Sequence, residues 1–296
     1  MYRAFFEEMT EREYGKEKLD KILETIEEVR LPSLRINPLK GDVNETKKEL
    51  EDLGFKLRQI DFYLDAYILE NRTQEELEAT TIYQEGRIYL QSLSSMIPPL
   101  FLDLKENIDI LDMAAAPGGK TTEIAAITKN KARITACELN TIRAKRLEYN
   151  VKTQGASSVY VLNHDARNLD DFFIFDAILL DAPCSGSGTR TTPESFKGLT
   201  KDLVDKSVKS QTKLIEKAIK MLKKGGSLVY STCSIFKEEN EEIVKRVLKN
   251  KNLEIVPLIL NSSFIEELPS ELEGVLTIAP TKWTEGFFIA KIRKVK

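Results

Sequence analysis

Two cysteines stand where a thiol could do covalent chemistry. Cys184 lies in Asp181-Ala182-Pro183-Cys184-Ser185-Gly186-Ser187-Gly188, and Cys233 lies in Ser231-Thr232-Cys233-Ser234. Each motif follows a run that reads as a β-strand, so both thiols are expected to leave strand ends on one rim of a sheet. The thiolate, rather than the thiol, is the nucleophile, and its formation is favoured near a helix N-terminus. Cys233 is predicted to precede a helical stretch holding Glu238, Glu239, Glu241 and Glu242. Acids suit the first turn of a helix, but they would oppose ionisation of a thiol beside them. The third cysteine, Cys137, falls inside a predicted strand and reads as a small buried hydrophobe.

A glycine turn and three carboxylates occupy the other predicted strand ends. The turn is Asp112-Met113-Ala114-Ala115-Ala116-Pro117-Gly118-Gly119-Lys120. Its spacing matches neither the dinucleotide fingerprint nor the phosphate-binding loop. A Gly-Gly pair alone is most often an ordinary strand-to-helix turn. Glu138 ends the second strand and suits a ribose diol, because a carboxylate can accept two hydroxyl hydrogen bonds. Asp165 ends the third and suits an exocyclic amine; Asp181 ends the fourth. One small-residue turn and three acids on one rim fit a ligand that joins a nucleoside to a positive charge, as S-adenosylmethionine does.

Composition narrows the chemistry further. The 296 residues include one histidine, His164, and three cysteines. This excludes sites built on several histidines and a Cys₄ zinc centre, and no metal is expected. Lys and Arg total 44 against 47 Asp and Glu, so the chain is not a polybasic binder. No apolar run reaches the roughly 18 residues of a membrane span. Unpaired thiols fit a reducing interior, and the cytoplasm is the expected compartment.

The elements that must position these residues form two patterns. Residues 1–80 carry 13 basic and 20 acidic side chains, a net of −7, whereas the remainder carries 31 and 27, a net of +4. The first part suggests a small α+β unit. Phe5, Phe6, Met9, Leu19, Leu23, Ile26 and Val29 have helical spacing, Ser33–Asn37 and Phe55–Ile60 read as strands, and Asn44 could cap a helix ended by Gly54. From about residue 108, strands alternate with helices, which indicates a parallel sheet covered on both faces. The predicted strands are Ile108–Met113, Arg133–Glu138, Val159–Asn163, Asp176–Asp181 and Ser227–Cys233. Two late strands, Val275–Ala279 and Gly286–Ile292, could pair antiparallel at its edge. Ser92–Leu104, with Pro98-Pro99, is assigned no element.

Asp112–Lys120 (DMAAAPGGK), Asp181–Gly186 (DAPCSG) and Ser231–Ser234 (STCS) resemble motifs of the Nop/Sun family of RNA cytosine-C5 methyltransferases. Leu34–Lys40, Gln91–Pro98 and Thr284–Lys291 extend the similarity over about residues 33–293. Departures are Ala114, where many members have cysteine, and Thr189–Phe196, which is less basic than usual. The resemblance implies an α/β Rossmann-like class I methyltransferase with a mostly parallel seven-stranded sheet and an antiparallel edge strand. It also implies a small N-terminal α+β domain, 1–80, with possible RNA contact, a connecting segment, 81–106, and a methyltransferase domain, 107–296.

By the same resemblance, Cys233 would attack cytosine C6, Cys184 would assist loss of the C5 proton and release of the enzyme, and Asp181 would hydrogen-bond the base. S-adenosylmethionine would lie over Ala114, Ala115, Ala116, Pro117, Gly118, Gly119 and Lys120, bordered by Asp181. Glu138 would hold the ribose and Asp165 the adenine, with Arg143 and Lys120 near cofactor and base. The expected partner is RNA, transfer RNA ahead of ribosomal RNA because the chain is short and has no evident extra RNA-binding domain. The expected state is a monomer. Lys197, Lys201, Lys206, Lys209 and Lys213 could track phosphates, although spaced lysines more often form a solvated helix face.

Overall fold

The computed structural model describes residues 3–26 and 28–295. Two helices, α1 (Ala4–Tyr14) and α2 (Lys16–Ile26), open the chain. A four-stranded antiparallel sheet follows, built from β1 (Ser33–Ile36), β2 (Leu57–Gln59), β3 (Ala66–Leu69) and β4 (Ile88–Leu90) in the order β2-β3-β1-β4. Between its strands lie α3 (Val43–Asp52), α4 (Gln74–Glu78) and α5 (Thr81–Gln84). Asp42, not Asn44, caps α3, because its carboxylate accepts the amides of Asn44 and Glu45, two and three residues on.

The rest of the chain forms one sheet with helices on both faces. Helix α6 (Leu93–Leu100) leads into β5 (Asp109–Asp112), α7 (Gly119–Ile127), β6 (Arg133–Cys137), α8 (Thr141–Thr153), β7 (Val159–Leu162) and β8 (Phe175–Asp181). Then come α9 (Lys201–Met221), β9 (Leu222–Thr232), α10 (Glu241–Val247), β10 (Leu253–Val256), β11 (Leu276–Ile278) and β12 (Phe287–Lys294). The order is β10-β12-β9-β8-β5-β6-β7, with β11 also paired to β12. β5 to β9 run parallel; β10, β11 and β12 pair antiparallel. The sheet therefore has eight strands rather than the expected seven, and the antiparallel part is three strands, not one edge strand.

Alternation along the strands builds the two cores. Ile178, Leu180, Leu228 and Tyr230 pack under Leu214, Ile215 and Ala218 of α9 and Val244 of α10. Their neighbours Ala177, Leu179 and Val229 face the other way, onto Ile97 of α6 and Ile124 of α7. This period of two is what a strand buried on both faces requires.

Packing does not follow the expected boundaries at 80 and 106. Residues 4–26 pack through Phe6, Met9, Leu19 and Ile22 against Phe196, Ile235 and Leu268 of the later half. β4, in the expected connecting segment, is an edge of the N-terminal sheet and pairs with β1. The same segment supplies α6, whose two prolines fall in its last turn. The carbonyl of Ser95, which the missing Pro99 N–H would have met, instead accepts Gln91 Nε2 at 3.0 Å.

A buried polar network joins the N-terminal sheet to the start of α7. Arg35 on β1 is fully buried. Its guanidinium donates to Gln91 Oε1 at 3.0 Å, to the Gly119 carbonyl at 3.1 Å and to Thr122 Oγ1 at 2.5 Å, and lies 4.9 Å above the Tyr89 ring. Gln91 Nε2 also donates to Glu123 Oε2 at 2.9 Å. Burial pushes the Glu123 carboxyl up to about 8, with Arg35 and Gln91 pulling the other way. The folded chain thus binds this proton where the unfolded chain has lost it. The stabilising contribution is full below about 4.5 and is lost as pH rises through about 8. In Glu123→Gln, unfolding free energies measured in urea should gain on the parent chain steadily from about pH 5 to about pH 9. A difference independent of pH would show that Glu123 is already ionised at the low end.

Candidate active site

The two cysteine motifs meet because β8 and β9 run parallel in register. Asp181 pairs with Ser231, and the Ala182 amide donates to the Ser231 carbonyl at 2.8 Å. Both strands stop here and both loops turn the same way. Cys184 Sγ and Cys233 Sγ lie 3.2 Å apart, each partly exposed. The loops are then stitched together: Ser187 Oγ and Ser234 Oγ are 2.9 Å apart, and the Gly188 amide donates to the Cys233 carbonyl at 3.0 Å.

Gly188 and Gly286 allow a third segment to close on the pair. The Gly286 amide donates to the Gly188 carbonyl at 2.8 Å, and a Cβ at Gly188 would lie 2.1 Å from the Gly286 oxygen. Phe287 follows, and its ring lies 5.3 Å from Lys120 Nζ. Lys120, in the first turn of α7, donates to Asp181 Oδ2 and to Ser95 Oγ, both at 2.7 Å. Asp181 Oδ1 accepts Ser231 Oγ at 2.8 Å. Burial opposes the charge on Lys120, but Asp181 outweighs it and holds the ammonium above its ordinary range. The lysine is therefore a fixed cation at the thiol rim.

The glycine turn forms the opposite wall. Asp112, at the end of β5, is buried; Thr121 Oγ1 donates to its Oδ2 at 2.6 Å, while Oδ1 has no hydrogen-bond partner among the described residues. Burial pushes its carboxyl up to about 6, and nearby Asp181 adds to the shift. A cavity of about 180 Å³ is lined by Asp112, Ala114, Ala115, Ala116, Pro117, Gly119, Lys120 and Asp181 on this side, and by Tyr89, Leu90, Gln91, Ser92 and Ser95 on the other.

The remaining expected positions do not line this cavity. Gly118 takes φ +108°, and a Cβ there would come within 2.9 Å of Leu147 Cδ1. Glu138 is buried at the end of β6 and accepts the Asn140 amide at 2.8 Å. Arg143 links Glu138, at 3.6 Å, to the Ala116 carbonyl, at 2.8 Å. Asp165 caps the turn Ala166–Asn168 and is held by Arg167 Nη2 at 2.6 Å, which keeps its carboxyl below the ordinary range. His164 beside it is exposed. Cys137 is buried within β6, and burial pushes its thiol up to about 12.

Cys233 does not stand at a helix N-terminus. Ser234–Asn240 separates it from α10, and within that stretch Lys237–Glu239 forms a short 3-10 turn. Two groups of residues escaped the sequence reading. Tyr89, Leu90, Ser92 and Ser95 carry no titratable signature at neutral pH; the motif Gln91–Pro98 was the available signal. Glu239 reads in sequence as a helix-start acid, yet it turns back between the cysteine loops.

A parallel sheet with a reversed late strand, a glycine turn over one strand end and an acid on the next define a Rossmann-like class I methyltransferase fold. The chain belongs to the 16S rRNA methyltransferase RsmB/F family, whose family model matches residues 99–293. It is 37% identical over 273 residues to ribosomal RNA small subunit methyltransferase F of Shewanella woodyi, covering 89% of this chain and 57% of that protein. The Aliivibrio fischeri protein of that name is 35% identical, with 98% and 63% covered. The chain thus spans somewhat over half the length of the curated relatives it matches. Among solved structures, a methyltransferase homolog protein from Pyrococcus horikoshii superposes with a TM-score of 0.85 at 33% identity, covering 98% of this chain and 94% of that one. NSun6 from Pyrococcus horikoshii, solved with SFG, superposes at 0.86 with 28% identity, covering 98% and 97%.

Gly188→Ala should prise the Gly286 segment from the cysteine loops, because the new methyl meets backbone rather than a movable side chain. We expect a loss of about 1–3 kcal/mol in urea-monitored unfolding. Parent-like stability would mean the two backbones are not in contact in solution.

Proposed function

We propose that this chain transfers a methyl group from S-adenosylmethionine to C5 of a cytosine in RNA. The observation that carries the reading is the contact between Cys184 and Cys233, at 3.2 Å, beside a carboxylate already paired to a lysine. Cytosine C5 is a poor nucleophile on its own. Addition of the Cys233 thiolate at C6 forms an S–C6 bond and moves the C5–C6 π electrons toward C5. Asp181, with Lys120 beside it, would hydrogen-bond the base and stabilise this enamine. Cys184 would assist loss of the C5 proton after methylation, whereupon the S–C6 bond breaks, the ring double bond returns and Cys233 leaves.

The residues of the glycine turn suit the methyl donor. Ala114–Pro117 and Gly119 give a wall without bulky side chains, and Asp112 Oδ1 offers an unpaired acceptor. Glu138 and Asp165 would serve the ribose and the adenine, the latter after releasing one of its contacts to Arg167. S-adenosylmethionine supplies the electrophilic methyl group when bound.

The relatives named as ribosomal RNA small subunit methyltransferases favour ribosomal RNA over the transfer RNA expected from the sequence. The target base must leave its stack to reach the thiols. The N-terminal sheet, which walls the cavity, and the exposed Lys206, Lys209 and Lys213 of α9 would help hold flanking RNA. No helix among the described residues is long and apolar enough to cross a membrane. A cytoplasmic monomer acting on RNA is the assembly we infer.

Cys233→Ala should abolish methylation of host RNA, a loss of at least about 10³-fold for a covalent nucleophile. Cys184→Ala should instead trap an RNA–protein adduct that survives denaturing gels. Retained activity in Cys233→Ala, or no adduct from Cys184→Ala on a methylated RNA, would overturn the assignment of the two thiols. Bisulfite sequencing of host RNA with and without the gene identifies the RNA and the position.

A further inference from the structure

Glu239 lies between the two cysteine loops and is fully buried. Its Oε1 accepts the Ser185 amide at 2.7 Å and Gln211 Nε2 at 3.3 Å. Its Oε2 accepts Ser185 Oγ and Ser234 Oγ, each at 2.6 Å. Ser185 follows Cys184 and Ser234 follows Cys233, so one carboxylate grips the residue after each thiol. All four donors are neutral. A buried carboxylate held by neutral donors keeps an uncompensated charge, which is costly and acts strongly at short range.

That charge falls unequally on the two thiols. Cys184 faces Cys233 and Glu239, and the Tyr230 hydroxyl faces Cys184 in turn. Tyr230 donates to the Glu239 carbonyl at 2.6 Å. Arg190, on the loop's outer side, is occupied by the Ser185 carbonyl at 2.6 Å and the Gly186 carbonyl at 3.1 Å. Cys233 faces Cys184 and the Lys120 ammonium that Asp181 holds. A cation therefore stands on one side of the pair and an anion on the other. Of two thiols in contact, the one nearer the cation ionises and the one nearer the anion keeps the proton. The hydrogen bond with Cys233, burial and Glu239 act together to hold the Cys184 thiol well above its ordinary range.

We propose that Glu239 is a positioning residue for the thiol pair: it ties the two cysteine loops together and biases ionisation toward Cys233 and away from Cys184. The inference rests on the reading of Cys233 as nucleophile and Cys184 as its partner. Such a bias would give two thiols of the same kind, in contact, different roles before RNA arrives.

The test needs neither RNA nor methyl donor, so it fails or succeeds apart from the activity. Initial rates of iodoacetamide alkylation at each cysteine are followed against pH by peptide mass spectrometry on the full-length chain. In the parent chain Cys233 should titrate at lower pH than Cys184; the reverse order overturns the proposal. In Glu239→Gln the Cys184 midpoint should move down by about one pH unit, roughly a tenfold gain in its relative rate at a fixed pH below the midpoint. Glu239→Asp, which keeps the charge, should restore the parent midpoint, whereas a purely packing role would make both variants alike. A folded Glu239→Gln chain with an unchanged Cys184 midpoint also overturns it. Should that variant not fold, the parent order and the Glu239→Asp midpoint decide.

Discussion

The register of β8 on β9 is the constraint on which the site depends. Parallel strands present their carboxyl ends at one rim, and here Asp181 stands beside Ser231. A slip of one residue would leave Asp181 and Ser231 on opposite faces and part the two loops, so the alternating core contacts that fix the register also fix the thiols. Leu180 and Tyr230 pair on one face, Leu179 and Val229 on the other, and all four are fully buried. The 3.2 Å approach of the sulfurs is set by the packing of residues that never touch a ligand.

A second dependence runs through Arg35. A fully buried guanidinium is costly unless its donors are met. Gln91, Gly119 and Thr122 meet those of Nε and Nη2, while Nη1 has no hydrogen-bond partner among the described residues; these contacts draw β1, the segment after β4 and the start of α7 to one point. The N-terminal sheet is thereby part of the cavity, not an appendage. Its contribution is to wall the small-residue turn with Tyr89, Leu90 and Gln91. The helices before it serve differently: α1 and α2 cover Ile235 and Phe236, just beyond the Cys233 loop.

Charges around the cavity are arranged in opposition. Lys120 and Asp181 form a pair that leaves the lysine facing one thiol, while Asp112 and Glu123 lie behind it in burial that favours their neutral forms. Glu123, pushed up to about 8, keeps its proton near neutral pH and so spares the rim one uncompensated negative charge. One histidine in the whole chain fits this scheme, since the proton-handling groups at the rim are thiols and carboxyls.

Much of this was legible in the sequence. The alternation of apolar runs with helical spacing marked β5 to β9 within about two residues at most ends, except for β9, which starts five residues early through Lys223 and Gly226. The motifs around Cys184, Cys233 and the glycine turn stood out because small residues and a thiol at a strand end are rare together. β3, β4 and β10 are not legible in the sequence: each is only three or four residues long, and β4 and β10 find partners in β1 and β12, far along the chain. Glu239 was read as a helix-start acid because local spacing reports only local neighbours. The sequence by itself determined the chemistry on offer, two thiols, an aspartate and a turn of small residues. The tertiary structure alone decided which of them meet and what charge each faces, because desolvation and contact depend on residues brought together from distant parts of the chain.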